Sequence, residues 1–356
     1  MDTKLKLPNG IKLTFGQIVS LAGDYYGAIK NPIIIPCQML KPFNAKQGRN
    51  NRKRFLKAFG KLARKSGRHI RAEVKKLVKM ITDDHKVQKS GKGKLHTDRE
   101  WDEVTGGRWI RFPFLGDIPK TWGRMLNLAA NNTDHFQPQA MEAYLAGHQC
   151  AIDRARRAGM EKDRKKKMNL LMEAYSMEAF AGHYLSDCFS SGHIRTPRAE
   201  LQKFRQSSRW LLNKIYPNIG AYLSKEMHDE DCKYGLRVKN KRGERWTAYG
   251  DKSLNRKKNS RNYKLVVEAM QKSADQVYKA FRNPTAKISS KIVTDIIPFV
   301  DPEAKNNTPL FEKKNGIWYY RSKLDLQSKK IKKLGRGVWA AWYLWNNPDR
   351  KNSVNK

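Results

Sequence analysis

The chain is predicted to be mainly α-helical, with a small β element in its C-terminal part, and three observations carry that prediction. Apolar residues recur at helical spacing over most of the sequence. Capping and breaking residues punctuate those runs at intervals suited to ordinary helices. A single stretch, Gly235 to Gly250, alternates apolar and polar residues on both sides of Arg242-Gly243 and reads as a β-hairpin.

In chain order, Thr14 and Gln17 form a capping box that opens a short helix through Leu21, with Gly23 as its terminator. Asp24 then stands just beyond a helix end. Residues 29–50 read as loop, with Pro32, Pro36 and Pro42. From Lys41 to Lys79 there are 15 basic residues and one acid, Glu73. Phe55, Phe59 and Leu62, then Ile70, Val74, Leu77, Val78 and Ile81, place basic amphipathic helices there. Such a face is either solvated surface or an anion-binding one.

Residues 86–97 read as an exposed connection and Trp101 to Trp122 as an irregular aromatic stretch. Helices are expected over 137–158 and 164–188. Another helical pattern covers 200–230, through Phe204, Trp210, Leu211, Ile215 and Tyr222, and a last one covers 261–282. Beyond it, the basic cluster Lys329–Lys333 precedes Trp339, Trp342, Tyr343 and Trp345, which suit a packed terminal helix or an interfacial membrane anchor. The expected division is a helical catalytic domain over 1–282 and a basic, aromatic-rich extension over 283–356.

Composition narrows the partners. With 73 Lys and Arg against 33 Asp and Glu, the formal net charge is +40. That balance suits a polyanion, either anionic lipid headgroups or nucleic acid. The sequence marks no obligate protein partner. No secretory signal and no run of 18 apolar residues is evident, so the protein is expected to be cytoplasmic or exported by a signal-independent route. Cys37, Cys150, Cys188 and Cys232 form no close pair, which fits a reduced compartment or packing roles.

The chemistry concentrates in His183 to His193. On a helix, His183 and Asp187 are one turn apart on one face and can reach one metal ion. Ser190, Ser191 and Gly192 then break the helix, which frees His193 to turn toward a neighbouring ion. Imidazole with carboxylate is the donor set of hydrolytic zinc. The flanking Phe180, Ala181, Tyr184, Leu185, Cys188 and Phe189 are apolar, so these polar groups need partners to offset desolvation. Of the other histidines, His69, His85 and His96 lie in polar sequence. His148 reads as a core residue, His135 follows Asp134, and His228 opens the acidic cluster Asp229, Glu230 and Asp231.

This pattern resembles the zinc-dependent phospholipase C superfamily, which includes zinc single-strand nucleases. The shared elements are a His, a carboxylate four residues later and a further His six beyond, with an upstream His-Phe pair. Gly23-Asp24, Asp134-His135-Phe136, His183 with Asp187, Gly192-His193, Arg195 with Arg198, and His228 with Asp231 look most like the Pseudomonas fluorescens and Legionella type of bacterial phospholipase C. The resemblance spans about residues 14–282. It implies one zinc on Asp24, His135, His183 and Asp187, and a second on His193, His228 and Asp231, with Glu230 as the substitute for Asp231. A third zinc, held in the Bacillus type by a terminal Trp and a nearby His, has no counterpart, because this chain begins Met-Asp and has no His before His69.

The resemblance further implies cleavage of glycerophospholipids to diacylglycerol and a phosphorylated headgroup at a membrane surface. Asp24 or Asp134 would accept a proton from water, and Arg195 and Arg198 would pair with phosphate. The alternatives are a single-strand nuclease of the same superfamily and a non-catalytic binder of nucleic acid or membrane.

Overall fold

The computed structural model of the protein describes residues 3–35, 45–112, 116–207, 219–251, 253–323 and 325–335. It is mostly α-helical with small C-terminal strands, as expected, and also carries small antiparallel sheets in its N-terminal part, which were not expected. The described residues fall into two compact units. The first comprises those of Met1–Asp187 with Val266–Thr294, and the second those of Cys188–Leu265 with those from Asp295 onward. The division therefore falls at 187/188, at 265/266 and at 294/295, not near 282. Residues 295–335 join the second unit because their strands pair or pack with its own elements.

The first unit opens with the hairpin β1 (Lys4–Lys6) and β2 (Lys12–Thr14), with Leu5 opposite Leu13. Helix α1 (Phe15–Tyr26) follows, and both hydrogen bonds of the Thr14/Gln17 capping box are present. It does not stop before Gly23. Gly23 is a helical residue, and Asp24 sits on the last turn of α1 rather than beyond its end.

Helices α2 (Ala45–Ala63) and α3 (Arg68–Ser90) carry the expected amphipathic pattern, with Phe55, Phe59, Leu62, Val74 and Leu77 buried. Helix α4 (Asp98–Val104) opens on a second capping box, Thr97/Glu100. The stretch expected to be irregular is ordered instead as a hairpin of β3 (Arg108–Phe112) and β4 (Gly116–Thr121). Its alternation was hidden by a register shift at Arg108/Trp109 and by Pro119 within β4.

Helix α5 (Arg124–Ala129) and a 3-10 turn (Thr133–His135) lead to α6 (Gln139–Met160) and α7 (Arg164–Asp187). These two long helices pack along each other and, with α1 and α2, enclose the core. Phe55 and Phe59 both meet the ring of Phe180 edge-on, at 5.6 and 5.8 Å between centroids. Each buried ring contributes roughly 1.5–3 kcal/mol by leaving water.

The second unit holds α8 (Ser191–Ile194), α9 (Arg198–Ser207) and α10 (Ile219–Tyr234). The predicted hairpin is β5 (Leu236–Lys239) with β6 (Arg245–Ala248), and β7 (Phe299–Val300) extends it on the β5 side. A second sheet has the order β10-β9-β8, from Phe311–Lys314, Ile317–Arg321 and Ile331–Lys333. Leu201, Leu223, Met227, Phe311 and Trp318 form the shared core of that sheet, α9 and α10. The division between units falls within α11 (Ser260–Arg282), which is followed by α12 (Lys291–Thr294). Trp210, Leu211 and Ile215 and the Trp339–Trp345 cluster lie outside the described residues. No described helix is long and apolar enough to cross a membrane.

Candidate metal centres

Among the described residues, two groups of His and Asp side chains could each hold a metal ion, one in each unit. In the first, α1 supplies Asp24, the 3-10 turn His135, and the last turns of α7 His183 and Asp187. His183 Nδ1 lies 3.0 Å from the Val19 carbonyl oxygen. A carbonyl only accepts, so Nδ1 carries the proton and Nε2 presents its lone pair to the cluster. That nitrogen is 3.2 Å from His135 Nδ1, 3.6 Å from Asp187 Oδ2 and 3.9 Å from Asp24 Oδ1. His135 Nδ1 is 3.0 Å from Asp187 Oδ2 and 3.9 Å from Asp24 Oδ1.

Donors about 2.0–2.1 Å from a tetrahedral zinc stand about 3.3 Å from one another. The observed spacings bracket that value, and the donor chemistry matches, so these residues fit a zinc ion. Electrostatics point the same way. Burial disfavours a charged His135, but the Asp187 carboxylate, and behind it Asp24 and Asp134, raise its pKa to about 9. The carboxylates around His135 thus favour positive charge at this cluster.

Gly23 makes the approach possible. A Cβ there would lie 2.4 Å from His135 Cε1 and 2.5 Å from His183 Nε2. The expected helix terminator is therefore a space-making residue inside the helix. Asp134, a candidate base, is buried and turned away, its Oδ2 accepting from the Ile33 N–H at 2.7 Å. Burial raises its pKa despite opposing contributions from His135 and from backbone hydrogen bonds. Asp24, about half exposed, is the carboxylate at the rim of this cluster.

In the second cluster, His193 comes from α8, His228 from α10 and Asp251 from the segment after β6. Asp251 Oδ2 lies 3.2 Å from His228 Nε2, and Oδ1 lies 3.7 Å from His193 Nε2. The imidazole rings are 4.9 Å apart. His228 Nδ1 donates to Asp229 at 2.8 Å, which leaves Nε2 facing Asp251. The Ser190 hydroxyl donates to Asp251 Oδ1 at 2.8 Å. Desolvation opposes ionisation of Asp251, yet His228 and His193 hold its carboxyl well below the usual range. Gly192 has the same role here as Gly23, since a Cβ would meet His228 Cδ2 at 2.4 Å.

This arrangement gives four expected residues other surroundings. Asp231 faces Arg195, not the histidines, with both oxygens gripped by the guanidinium at 2.9 and 2.6 Å. A carboxylate this deeply buried needs a counter-charge, and the arginine fork supplies it. Arg195 also donates to the Asn307 carbonyl at 2.7 Å, so it braces the unit where phosphate pairing was expected. Glu230, the substitute, pairs with Arg321 at 2.5 Å. Arg198 is buried in the second unit, where desolvation pushes its pKa down to about 10. Sequence reasoning missed Asp251, because a carboxylate 23 positions after His228 and across a hairpin leaves no spacing signal.

No protein-family model, curated protein or solved structure matches this chain.

Proposed function

We propose that the protein is a zinc-dependent phosphodiester hydrolase of the phospholipase C type, acting on glycerophospholipids to release diacylglycerol and a phosphorylated headgroup. The convergence of Asp24, His135 and His183, with Asp187 beside both histidines, carries this reading. The sequence resemblance supplies the reaction class. Asp24, His135, His183 and Asp187 would hold one ion, and His193, His228 and Asp251 another. Zinc supplies Lewis acidity toward a phosphoryl oxygen and brings the acidity of water into the neutral range.

The protein's own groups set up that chemistry. The Val19 carbonyl and the Asp229 carboxylate engage Nδ1 of His183 and His228, so each turns Nε2 toward its cluster. Asp187 Oδ2 lies 3.0 Å from His135 Nδ1, so the two would share the ion as neighbouring ligands. Asp24, at the rim of its cluster, is the carboxylate placed to accept a proton from water there.

Zinc-loaded protein is expected to release diacylglycerol from phosphatidylcholine or phosphatidylglycerol vesicles, with loss on chelation and recovery on adding zinc. Stoichiometric zinc with no release from any phospholipid sinks the proposal. The net charge of +40 favours a second reading, a single-strand nuclease on the same ligands. That reading expects degradation of single-stranded DNA or RNA, with binding that weakens steeply as salt rises.

A further inference from the structure

The β3–β4 hairpin carries two branched aliphatic side chains that stay partly exposed. Ile110 and Ile118 stand directly opposite each other in the ladder and are 42% and 40% exposed. Their face is defined by what lies on the other one. Trp109 turns inward, its Nε1–H donating to the Asp102 carboxylate at 3.1 Å, so its neighbour Ile110 points outward.

Asp102 is fully buried and also accepts from the Gly123 and Leu126 N–H groups at 3.0 and 3.2 Å. The hairpin thus springs from a fixed base and needs little ordering on contact. On the same face as the isoleucine pair, Arg108 and Lys120 are exposed, and no ion pair among the described residues engages them. The one acid of the hairpin, Asp117, is neutralised by Arg99 at 2.8 Å.

We infer that the outer face of this hairpin, Ile110 and Ile118 flanked by Arg108 and Lys120, docks into the headgroup layer of an anionic phospholipid surface. The inference rests on the phospholipid reading proposed above and names the element that brings the enzyme to its substrate. Aliphatic side chains gain by entering the acyl boundary, while flanking cations reach lipid phosphates with their apolar stems immersed. A nucleic-acid surface is a poorer match. It rewards aromatic stacking beside cations, and two isoleucines against a phosphodiester backbone gain nothing.

The test is sedimentation of the full chain with phosphatidylglycerol and phosphatidylcholine vesicles, alongside hydrolysis of a water-soluble nitrophenyl phosphodiester. Wild type is expected to partition onto phosphatidylglycerol. Ile110→Ser with Ile118→Ser should weaken that at least about tenfold, and Ile110→Leu with Ile118→Leu should retain it. Replacing Arg108 and Lys120 by Gln should cost about fivefold per charge on phosphatidylglycerol and nothing on phosphatidylcholine. Soluble-substrate turnover and bound zinc should not change in any of these variants.

Partitioning of the Ser variant equal to wild type overturns the inference, as does a wild type that sediments with no vesicle. A hairpin whose variants lose single-stranded DNA but keep lipid also overturns it. Hairpin-dependent sedimentation without diacylglycerol release would remove the proposed activity and leave the docking surface standing.

Discussion

In the first unit, Asp24, His135 and His183 hang from a helix, a 3-10 turn and a second helix that pack around one aromatic core. In the second unit, His193, His228 and Asp251 come from a one-turn helix, a longer helix and the segment leaving a hairpin. Both clusters keep a glycine where the imidazoles close in, Gly23 in one and Gly192 in the other. They differ in what orients the histidines. A backbone carbonyl, Val19, holds His183, whereas a side-chain carboxylate, Asp229, holds His228. The first site is consequently set by helix packing, and the second by a chain of side-chain charges that includes the buried Asp231–Arg195 pair.

That contrast can be broken most severely at Asp231. Asp231→Ala leaves Arg195 as a buried, uncompensated charge and should destabilise the protein by about 3–5 kcal/mol, read by denaturant unfolding. Asp251→Ala should instead leave stability nearly unchanged and remove zinc from the second cluster. If the two substitutions behave alike, the assignment of Asp251 over Asp231 fails.

Gly23→Ala comes next. Its Cβ would displace His135 and His183, so zinc should be lost from the first cluster and kept in the second, with activity down by about 10²-fold. Metal analysis of the purified variant reads the first effect without relying on turnover.

Asp229→Asn sharpens the comparison at smaller amplitude. Losing the carboxylate behind His228 should weaken zinc affinity at the second cluster about 10–100-fold, measured by calorimetric titration. No equivalent side chain exists to remove behind His183, since Val19 contributes its backbone.

The smallest effect concerns His148, buried in the first unit, with Nδ1 2.8 Å from Glu178 and Nε2 2.8 Å from Gln276. Burial opposes its protonation, but Glu178 outweighs this and its pKa is raised. A raised folded pKa contributes stability that is fully present below the unfolded value of about 6.5 and lost as pH rises through the folded one. The difference in unfolding free energy between wild type and His148→Gln should therefore be widest near pH 5–6, at about 1 kcal/mol, and narrow at higher pH, read from denaturant titrations. A gap that widens with pH would reverse the assignment.

Particular residues show how far the sequence could be read. The pairing of His183 with Asp187 follows from helical spacing, and both lie on the last two turns of α7. His135 comes from a distant segment, and only the motif resemblance linked it to them. Gly23 was read as a helix end because glycine usually weakens helices; its reason for being there is the two imidazoles, which no local pattern reveals. Asp231 was chosen because it shares a helix with His228, yet neighbouring carboxylates on one helix can serve different partners. Here Asp229 serves His228, Glu230 serves Arg321 and Asp231 serves Arg195.

By itself the sequence determined the helical class, the hairpin at β5–β6, the strong positive charge and the local placement of His183 with Asp187. Each of these follows from periodicity or composition within a few turns of chain. Tertiary structure alone decided that Asp251 joins His193 and His228, that Arg195 is bound to Asp231, and that Ile110 and Ile118 face outward. Those outcomes depend on which distant groups meet once the backbone closes. A buried charge takes whatever counter-charge lies within reach in space, and sequence separation does not encode that.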